Sequence, residues 1–326
     1  MVALAILAAV TTVALRSVSK LQDQARYTNT TSTLNNIQAA IIGPPNQHWP
    51  DGSPQVTGFV ADIGRLPNYL ISGSDPLGSS GDPLNELLQP NSIPAYSFLS
   101  SVSDPSIKIG VGWQGPYLRL GAGPTFVRDG WGNSLLAYDN TGNPATTGNP
   151  IYQIASEGTN TAPYNTPVSV PSPTIVSGGG FVPTATLTGR ITMNLATDLV
   201  GPNNGNQSGP APNITCTPSS GTPVSQAVSI WVCYFGPQVV GGVASVAEVP
   251  VEVYSTTPPI ATTTWSFAIS GTVGPRVLRA YVMPATVVTF NAAAVSSAYL
   301  ISPPLTITAT GGAQSLPNIV LPHYSP

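Results

Sequence analysis

The sequence predicts an α+β protein in which a long N-terminal α-helix with a small antiparallel sheet precedes an all-β, sandwich-like C-terminal domain. Three observations support this prediction. Residues 1–42 contain neither Pro nor Gly and keep a helical pattern, short strand signals separated by dense turns follow, and residues 181–326 carry strand signals alone. A helix followed by runs of strands is typical of the α+β class.

The helix begins as an apolar run. Met1 to Leu15 contain no charge, a composition that favours a lipid-compatible helix. Beyond Arg16, apolar residues recur at steps of three and four, which predicts one apolar face: Val18, Leu21, Ala25, Leu34, Ile37 and Ile41. The other face carries Lys20, Asp23 and Arg26. Gly43 and two prolines are predicted to end a helix about 63 Å long.

Other interpretations of this helix are weaker. A cleaved signal peptide would carry a basic residue before the apolar run, and none precedes Arg16. A plain membrane anchor would not explain the helical periodicity that continues to Ile41. A buried core helix would not be apolar on all sides over fifteen residues. The apolar run is also shorter than the roughly 20 residues that are needed to span a bilayer.

The run from Met1 to Val10 resembles the inner part of the N-terminal signature of type IV pilins and of type II secretion pseudopilins. The resemblance implies that about six residues, including the family's glutamate, precede Met1, which would lengthen the apolar segment to about 21 residues, enough to span a membrane. It also implies that subunits assemble through the helix. The assembly residues would be Met1, Val2, Leu4, Ile6, Leu7, Val10, Val13, Leu15, Val18 and Leu21.

Three further stretches resemble the same family. They are the segment after the helix with Gly58, Asp62, Gly64 and Pro67, a Trp-x-Gly-Pro-Tyr-Leu strand with Trp113, Gly115, Pro116 and Tyr117, and the turn Asp129-Gly130-Trp131-Gly132-Asn133. From its residues alone, the turn is predicted to be a structural corner, since Asp and Asn side chains bond nearby amides, glycines permit tight turns and the indole can cover a sheet end. An ordinary hairpin turn with an incidental Trp remains an alternative.

The predicted organisation is a stalk helix at 1–45, an α+β domain at 46–170, a Pro/Ser/Gly-rich linker at 171–180 and a β-sandwich of immunoglobulin-like kind at 181–326, with a jelly roll or barrel as the alternative. In the first domain, strands are expected at 117–120, 134–138 and 151–154. In the second they are expected at 186–195, 228–235, 246–255, 265–269, 277–283 and 305–310.

Covalent features are expected in the C-terminal domain. A disulfide between Cys216 and Cys233, worth about 3 kcal/mol, is favoured for an exported protein, with two buried free thiols as the alternative. Three N-glycosylation acceptor patterns occur, and Asn206 and Asn213 are the accessible candidates because Asn29 is expected to be packed on the helix.

Composition argues against several classes of function. Only 7% of residues are charged and the ten basic residues do not cluster, so no nucleic-acid partner is predicted. His48 and His323 lie in no catalytic or metal-ligand spacing, so we expect no enzyme, metal or cofactor. Residues 139–161 hold two carboxylates, too few for a calcium site of the pseudopilin kind.

The sequence thus predicts a structural subunit of an extracellular, type IV pilus-like or pseudopilus-like filament on a bacterial surface. Its partners would be identical subunits, the assembly machinery and, before assembly, the inner membrane. Two alternatives remain: a tip-located adhesin that binds a surface or glycan through exposed Trp231 and Trp265, and a membrane-anchored periplasmic binding module that does not polymerise.

Overall fold

The computed structural model describes residues 2–43, 57–69, 84–120, 127–156, 158, 168–171, 184–192, 215–216, 224–225, 228–256, 264–284, 286–298, 300–310 and 312–321. Its helices are α1 (Val2–Ile42), α2 (Phe59–Ile63), α3 (Asn85–Leu88) and α4 (Ala292–Ser296). Side chains of α1 are described at Thr11 and from Ser17 onward.

Sixteen strands are seen in the described residues. They are β1 (Ser97–Ser100), β2 (Lys108–Val111), β3 (Leu136–Tyr138), β4 (Gln153–Ser156), β5 (Val168–Pro171), β6 (Thr184–Thr192), β7 (Thr215–Cys216), β8 (Val224–Ser225), β9 (Val228–Val240), β10 (Val243–Thr256), β11 (Thr264–Thr272), β12 (Gly274–Pro284), β13 (Leu300–Ile301), β14 (Leu305–Ala309), β15 (Gly312–Ser315) and β16 (Ile319–Val320).

The predicted fold class is wrong. The part of the chain that the structure describes is mostly β, with 44% strand against 21% helix, and this part lacks the pilin arrangement of a long N-terminal helix packed on a sheet. The physical reason is visible in the burial pattern. Among the described side chains of α1, those before Thr30 are almost all exposed, so the globular part covers only the last turns of the helix.

The chain divides into two compact units, each built from separate segments. The first contains residues 1–44, 66–91 and 115–182, and the second contains 45–65, 92–114 and 183–326. These units differ from the predicted domains 46–170 and 181–326, because two segments of the predicted first domain belong to the second unit. Sequence order alone does not reveal that a strand pair from mid-chain packs with strands that come much later.

The first unit contains α1, α3 and the three-stranded antiparallel sheet β3-β4-β5. The end of α1 contributes buried apolar side chains from one side of the helix, namely Leu34, Ile37, Ala40 and Ile41. Gly43 follows with a positive φ of 103°, which only glycine adopts without strain, and its amide donates to the carbonyl of Ala39 at 2.7 Å. The helix therefore ends where the sequence predicts.

Two sheets of the second unit enclose one apolar core. The five-stranded sheet has the order β10-β9-β12-β13 with β14 also paired to β12, and the four-stranded sheet has the order β11-β6-β15 with β16 also paired to β6. Alternate residues from both sheets meet in the core, among them Leu187, Val232, Phe267 and Ala280. The pairings of β15 and β16 with β6 are parallel, and the other pairings of these two sheets are antiparallel.

The five-stranded sheet is buried on its second face as well. Trp231, Cys233 and Phe235 alternate with the core residues of β9 and are also buried. The hairpin β1-β2 and helix α2, both from earlier in the chain, contact β9 on this side. Strands that are covered on both faces read as continuous apolar runs, as 228–235 does.

Candidate assembly surface

The described part of α1 presents an apolar stripe to solvent. Val18 is 51% exposed, Leu21 is 65% exposed, and Ala25 is exposed as well. These three residues lie at helical spacing on one face. Soluble helices normally bury such a stripe, so this one is available to a partner. The other predicted assembly residues, from Met1 to Leu15, have side chains outside the described set.

The exposed stripe and the buried end of the helix lie on different sides. Sixteen positions separate Leu21 from Ile37, and at about 100° per residue the two side chains point about 160° apart. The prediction of one continuous apolar face from Val18 to Ile41 is therefore wrong. Leu21 faces away from the side that packs on the first unit, so its stripe does not serve the fold of its own chain.

The turn at residues 129–133 binds α1 at Thr30, where the side chains of the helix begin to be buried. The amide of Gly130 donates to the Thr30 hydroxyl at 2.8 Å, and that hydroxyl donates to the carbonyl of Arg26 at 2.9 Å. A Cβ at residue 130 would lie 2.1 Å from the Arg26 carbonyl oxygen. Only glycine permits so close an approach between the turn and the helix backbone.

Asp129 organises this turn. Its Oδ1 accepts hydrogen bonds from the amides of Trp131 at 2.9 Å and Asn133 at 2.7 Å, and its Oδ2 accepts one from the Ser156 hydroxyl at 2.6 Å. The Asn133 amide group donates onward to the carbonyl of Gly158 at 3.1 Å. The prediction of a structural corner at 129–133 is confirmed, with Gly132 at φ 88° and Trp131 partly buried.

The stretch from Gly58 to Pro67 contains α2. Phe59, Val60, Ala61 and Ile63 are buried, and Gly64 ends the helix at φ 78° against the carbonyl of Pro237 in β9. Asp62 accepts the amide of Gly112 through its backbone carbonyl at 3.1 Å. Gly58, Asp62 and Gly64 belong to the second unit and Pro67 to the first. The pattern thus marks a packed element of the fold.

The stretch from Trp113 to Leu118 does not form the predicted strand at 117–120. The amides of Tyr117 and Leu118 donate to the carbonyl of Leu87, at the end of α3. Trp113 donates its amide to the Pro94 carbonyl at 2.8 Å, and the peptide bond between Gly115 and Pro116 is cis. Carbonyl groups of residues much earlier in the chain accept these amides, so residues 117–120 form no strand.

A cluster of charged side chains that the sequence did not indicate lies behind the five-stranded sheet. Glu248 of β10 accepts the amide of Ser103 at 2.9 Å and the hydroxyls of Ser101 and Ser103 at 2.5 Å. Burial alone would raise the pKa of Glu248, but these hydrogen bonds outweigh it and lower the pKa below the ordinary value. One carboxylate therefore holds the loop of the β1-β2 hairpin.

A second carboxylate, that of Asp104, belongs to the loop of the hairpin and binds side chains of the sheet. Asp104 accepts a hydrogen bond from the Tyr281 hydroxyl at 2.7 Å and forms an ion pair with Arg279 at 2.8 Å. Burial would raise the pKa of Asp104, yet hydrogen bonds from Ser106 and Tyr281 and the charge of Arg279 lower it overall. Asp104 and Glu248 together clamp the hairpin onto β10 and β12.

Arg276 lies deeper, with 1% of its surface exposed. Its guanidinium donates to the carbonyls of Val60 and Ala61 in α2, and to carbonyls of the turn between β11 and β12: Thr272, Val273 and Pro275. The sequence carries no signal that separates Arg276 from Arg190, which also lies in a strand run but is exposed on β6.

The predicted disulfide is not formed. Cys233 is a buried free thiol in β9, and the side chain of Cys216 lies outside the described residues. Cys233 faces the covered side of the five-stranded sheet, where burial and the Glu248 charge raise the pKa of its thiol. This agrees with the buried-thiol alternative for Cys233.

Other predicted sites also change. Trp231 and Trp265 are 7% and 6% exposed, so neither offers the surface proposed for an adhesin. Asn29 is exposed on α1 and not packed as expected. The glycosylation candidates Asn206 and Asn213 lie outside the described residues, as do both histidines, His48 and His323.

The described residues contain no group of three or more His, Cys, Asp or Glu that could hold a metal ion. No helix in the searched part of the chain is long and apolar enough to cross a membrane. Comparison of the chain with protein-family models, curated proteins and solved structures finds no match.

Proposed function

We propose that this chain is a structural subunit of an extracellular filament of type IV pilus-like or pseudopilus-like kind, assembled through its N-terminal helix. The exposed stripe of Val18, Leu21 and Ala25 carries the proposal. The globular units form the outer surface of the filament, and the helices pack together inside it. Before assembly, the same helix holds the subunit in the inner membrane.

Two features of the helix support this function. The helix is 41 residues long, and among its described side chains, at Thr11 and from Ser17 onward, those of the last turns are the buried ones. The Leu21 side points away from the packed side, so neighbouring copies can reach it without disturbing the fold. Burying a Val or Leu side chain is worth about 1.5–3 kcal/mol, and a filament gains this for every subunit.

The proposal depends on the helix and not on the globular fold, which is not that of a pilin. The two residues suggested for an adhesin surface, Trp231 and Trp265, are buried, so nothing described supports that alternative. No described contact favours the third class, a periplasmic binding module. The filament subunit is therefore the function that the geometry supports best.

The test is assembly of the full chain with Leu21→Asp or Val18→Asp, imaged by electron microscopy. A buried charge in the filament interior should abolish filaments, while the melting temperature of the subunit should change little because both side chains are exposed in the monomer. Ser19→Asp is the matched control, since it adds the same charge at an exposed helix position about 100° from Val18.

Filaments from the wild type and from Ser19→Asp, but not from the stripe variants, would support the proposal. A wild-type chain that remains monomeric at all concentrations, or stripe variants that assemble as well as the wild type, would refute it.

A further inference from the structure

Strand β11 (Thr264–Thr272) lies at one edge of the four-stranded sheet. Within the described residues it pairs with β6 along its whole length and with no strand on its other side. Its side chains alternate strictly between exposed and buried from Thr264 to Gly271. Every second residue of such a strand directs its amide and carbonyl away from β6, where a further strand could bind.

This edge lacks the features by which proteins normally block edge pairing. It contains no charged residue, no proline and no bulge over nine residues. Strand β10, the edge of the facing sheet, has all three, with Glu248 and Glu252, Pro250 and a register shift at Glu252/Tyr254. Natural edge strands use such devices against association. Their presence on β10 and absence on β11 indicate that β11 pairs with a partner.

The sequence of β11 identifies the partner as a second copy. The positions on its outward face are Thr264, Ser266, Ala268, Ser270 and Thr272, an order that is identical in both directions. Thr264 to Ser270 in this set are exposed, and Thr272 is half-buried and bonds Arg276. An antiparallel pair of identical strands around a two-fold axis at Ala268 would therefore match itself.

We propose that two copies of this chain associate through antiparallel pairing of their β11 strands, centred on Ala268, to form one continuous sheet. Serines 266 and 270 then face each other across the strands, and hydroxyl pairs of this kind stabilise sheets. On the inward face, Phe267 lies opposite Ile269, and Trp265 lies opposite Gly271. No like charges meet.

This pairing is independent of the helix stripe. In a filament it would join two subunits, whereas in a soluble chain it would give a dimer. The two proposals are separated by working in full-length Leu21→Asp protein, in which helix-driven assembly is blocked and self-association reports on β11 alone.

The experiment measures the monomer–dimer equilibrium by analytical ultracentrifugation in that background. Ala268→Lys and Ala268→Glu should each weaken the dimer by about tenfold or more, because like charges meet at the two-fold axis. An equimolar mixture of the two variants should restore association. Thr188→Lys is the matched control, since Thr188 is exposed on the same face, directly beside Ala268 in the register, but on the interior strand β6.

A second measurement does not depend on dimer affinity. Ala268→Cys in a Cys216→Ser background should form a disulfide-linked dimer under mild oxidation, because residues directly opposite in an antiparallel pair have Cβ atoms about 4.5–5.5 Å apart. Thr188→Cys should not. A monomeric parent chain, dimers that tolerate Ala268→Lys, or equal cross-linking at both positions would each overturn the proposal.

Discussion

The Nε of Arg276 donates a hydrogen bond of 2.8 Å to the hydroxyl of Tyr234, which in turn donates one of 2.6 Å to the carbonyl of Thr272. Both side chains are almost fully buried, and the Arg276 guanidinium also reaches the carbonyls of α2. Gly271 makes room for the Tyr234 ring, since a Cβ at residue 271 would lie 2.2 Å from it. This contact joins α2, β9 and the β11–β12 turn.

Replacing Arg276 should destabilise the second unit strongly. Arg276→Ala removes hydrogen bonds from a charged donor and leaves buried carbonyls unpaired, so we expect a loss of about 3 kcal/mol or more in the free energy of unfolding. Tyr234→Phe should lose about 1–3 kcal/mol. Arg190→Ala, at an exposed position on β6, should change stability by about 0.5 kcal/mol or less. Urea unfolding measures all three, and equal effects of Arg276→Ala and Arg190→Ala would contradict this role.

The hairpin clamp predicts a loss of stability in acid. The pKa values of Glu248 and Asp104 are lowered in the folded chain, so their contribution is complete above the unfolded pKa, near 4, and declines as pH falls through the lower folded values. The groups around them are Arg279, Tyr281 and Cys233. Stability should therefore decrease steeply below about pH 4 in urea titrations.

Glu248→Gln tests the assignment because it keeps the shape of the side chain and removes its titration. This variant should be less stable than the wild type at pH 7 and show a shallower decrease in acid. Glu252→Gln, an exposed position on the same strand, is the control. An unchanged acid profile in Glu248→Gln would show that the clamp does not act through this carboxylate.

The contact between Gly130 and Arg26 predicts that a single methyl group loosens the helix. Gly130→Ala should cost about 1–3 kcal/mol, since the helix backbone must move away from the turn. Amide hydrogen exchange near Thr30 should accelerate under native conditions. Gly132→Ala has open space around it and a positive φ, so it should cost about 1–2 kcal/mol without local loosening of α1. The same exchange rate at Thr30 in both variants would refute the contact's role.

Cys233 should be inert in the folded chain. In a Cys216→Ser background, a thiol reagent should label no cysteine under native conditions and one cysteine in denaturant, because the buried thiol has a raised pKa and no access to solvent. Mass spectrometry counts the labels. Rapid native labelling would place Cys233 outside the core.

The strands of the second half could be predicted from the sequence. All six predicted segments overlap with β6, β9, β10, β11, β12 and β14, because β-branched and aromatic residues are bounded there by Gly and Pro. Residues 193–195 of the first segment lie outside the described residues. The end of α1 and the corner at Asp129 were also predictable, since glycine and Asx chemistry act locally. These features depend on residues that are close in sequence.

Features that depend on distant residues were not predictable. The disulfide prediction relied on the number of cysteines, and no sequence signal places Cys233 beneath a hairpin from residues 97–111. The prediction of an α+β class gave much weight to the long helix. The strands that follow it make up most of the described secondary structure, so the class is mostly β. Likewise, the opposite orientation of Leu21 and Ile37 becomes meaningful only when the packed side of α1 is known.

The second unit draws the layer that covers its five-stranded sheet from chain segments that precede this sheet by more than a hundred residues. A fragment cut at the glycine-rich stretch near residue 180 would keep both sheets but uncover Trp231 and Phe235 and strip Arg276 of its α2 acceptors. Such a truncation should be prone to aggregate. During synthesis, α2 and the β1-β2 hairpin cannot make these contacts until β9, β10 and β12 have left the ribosome.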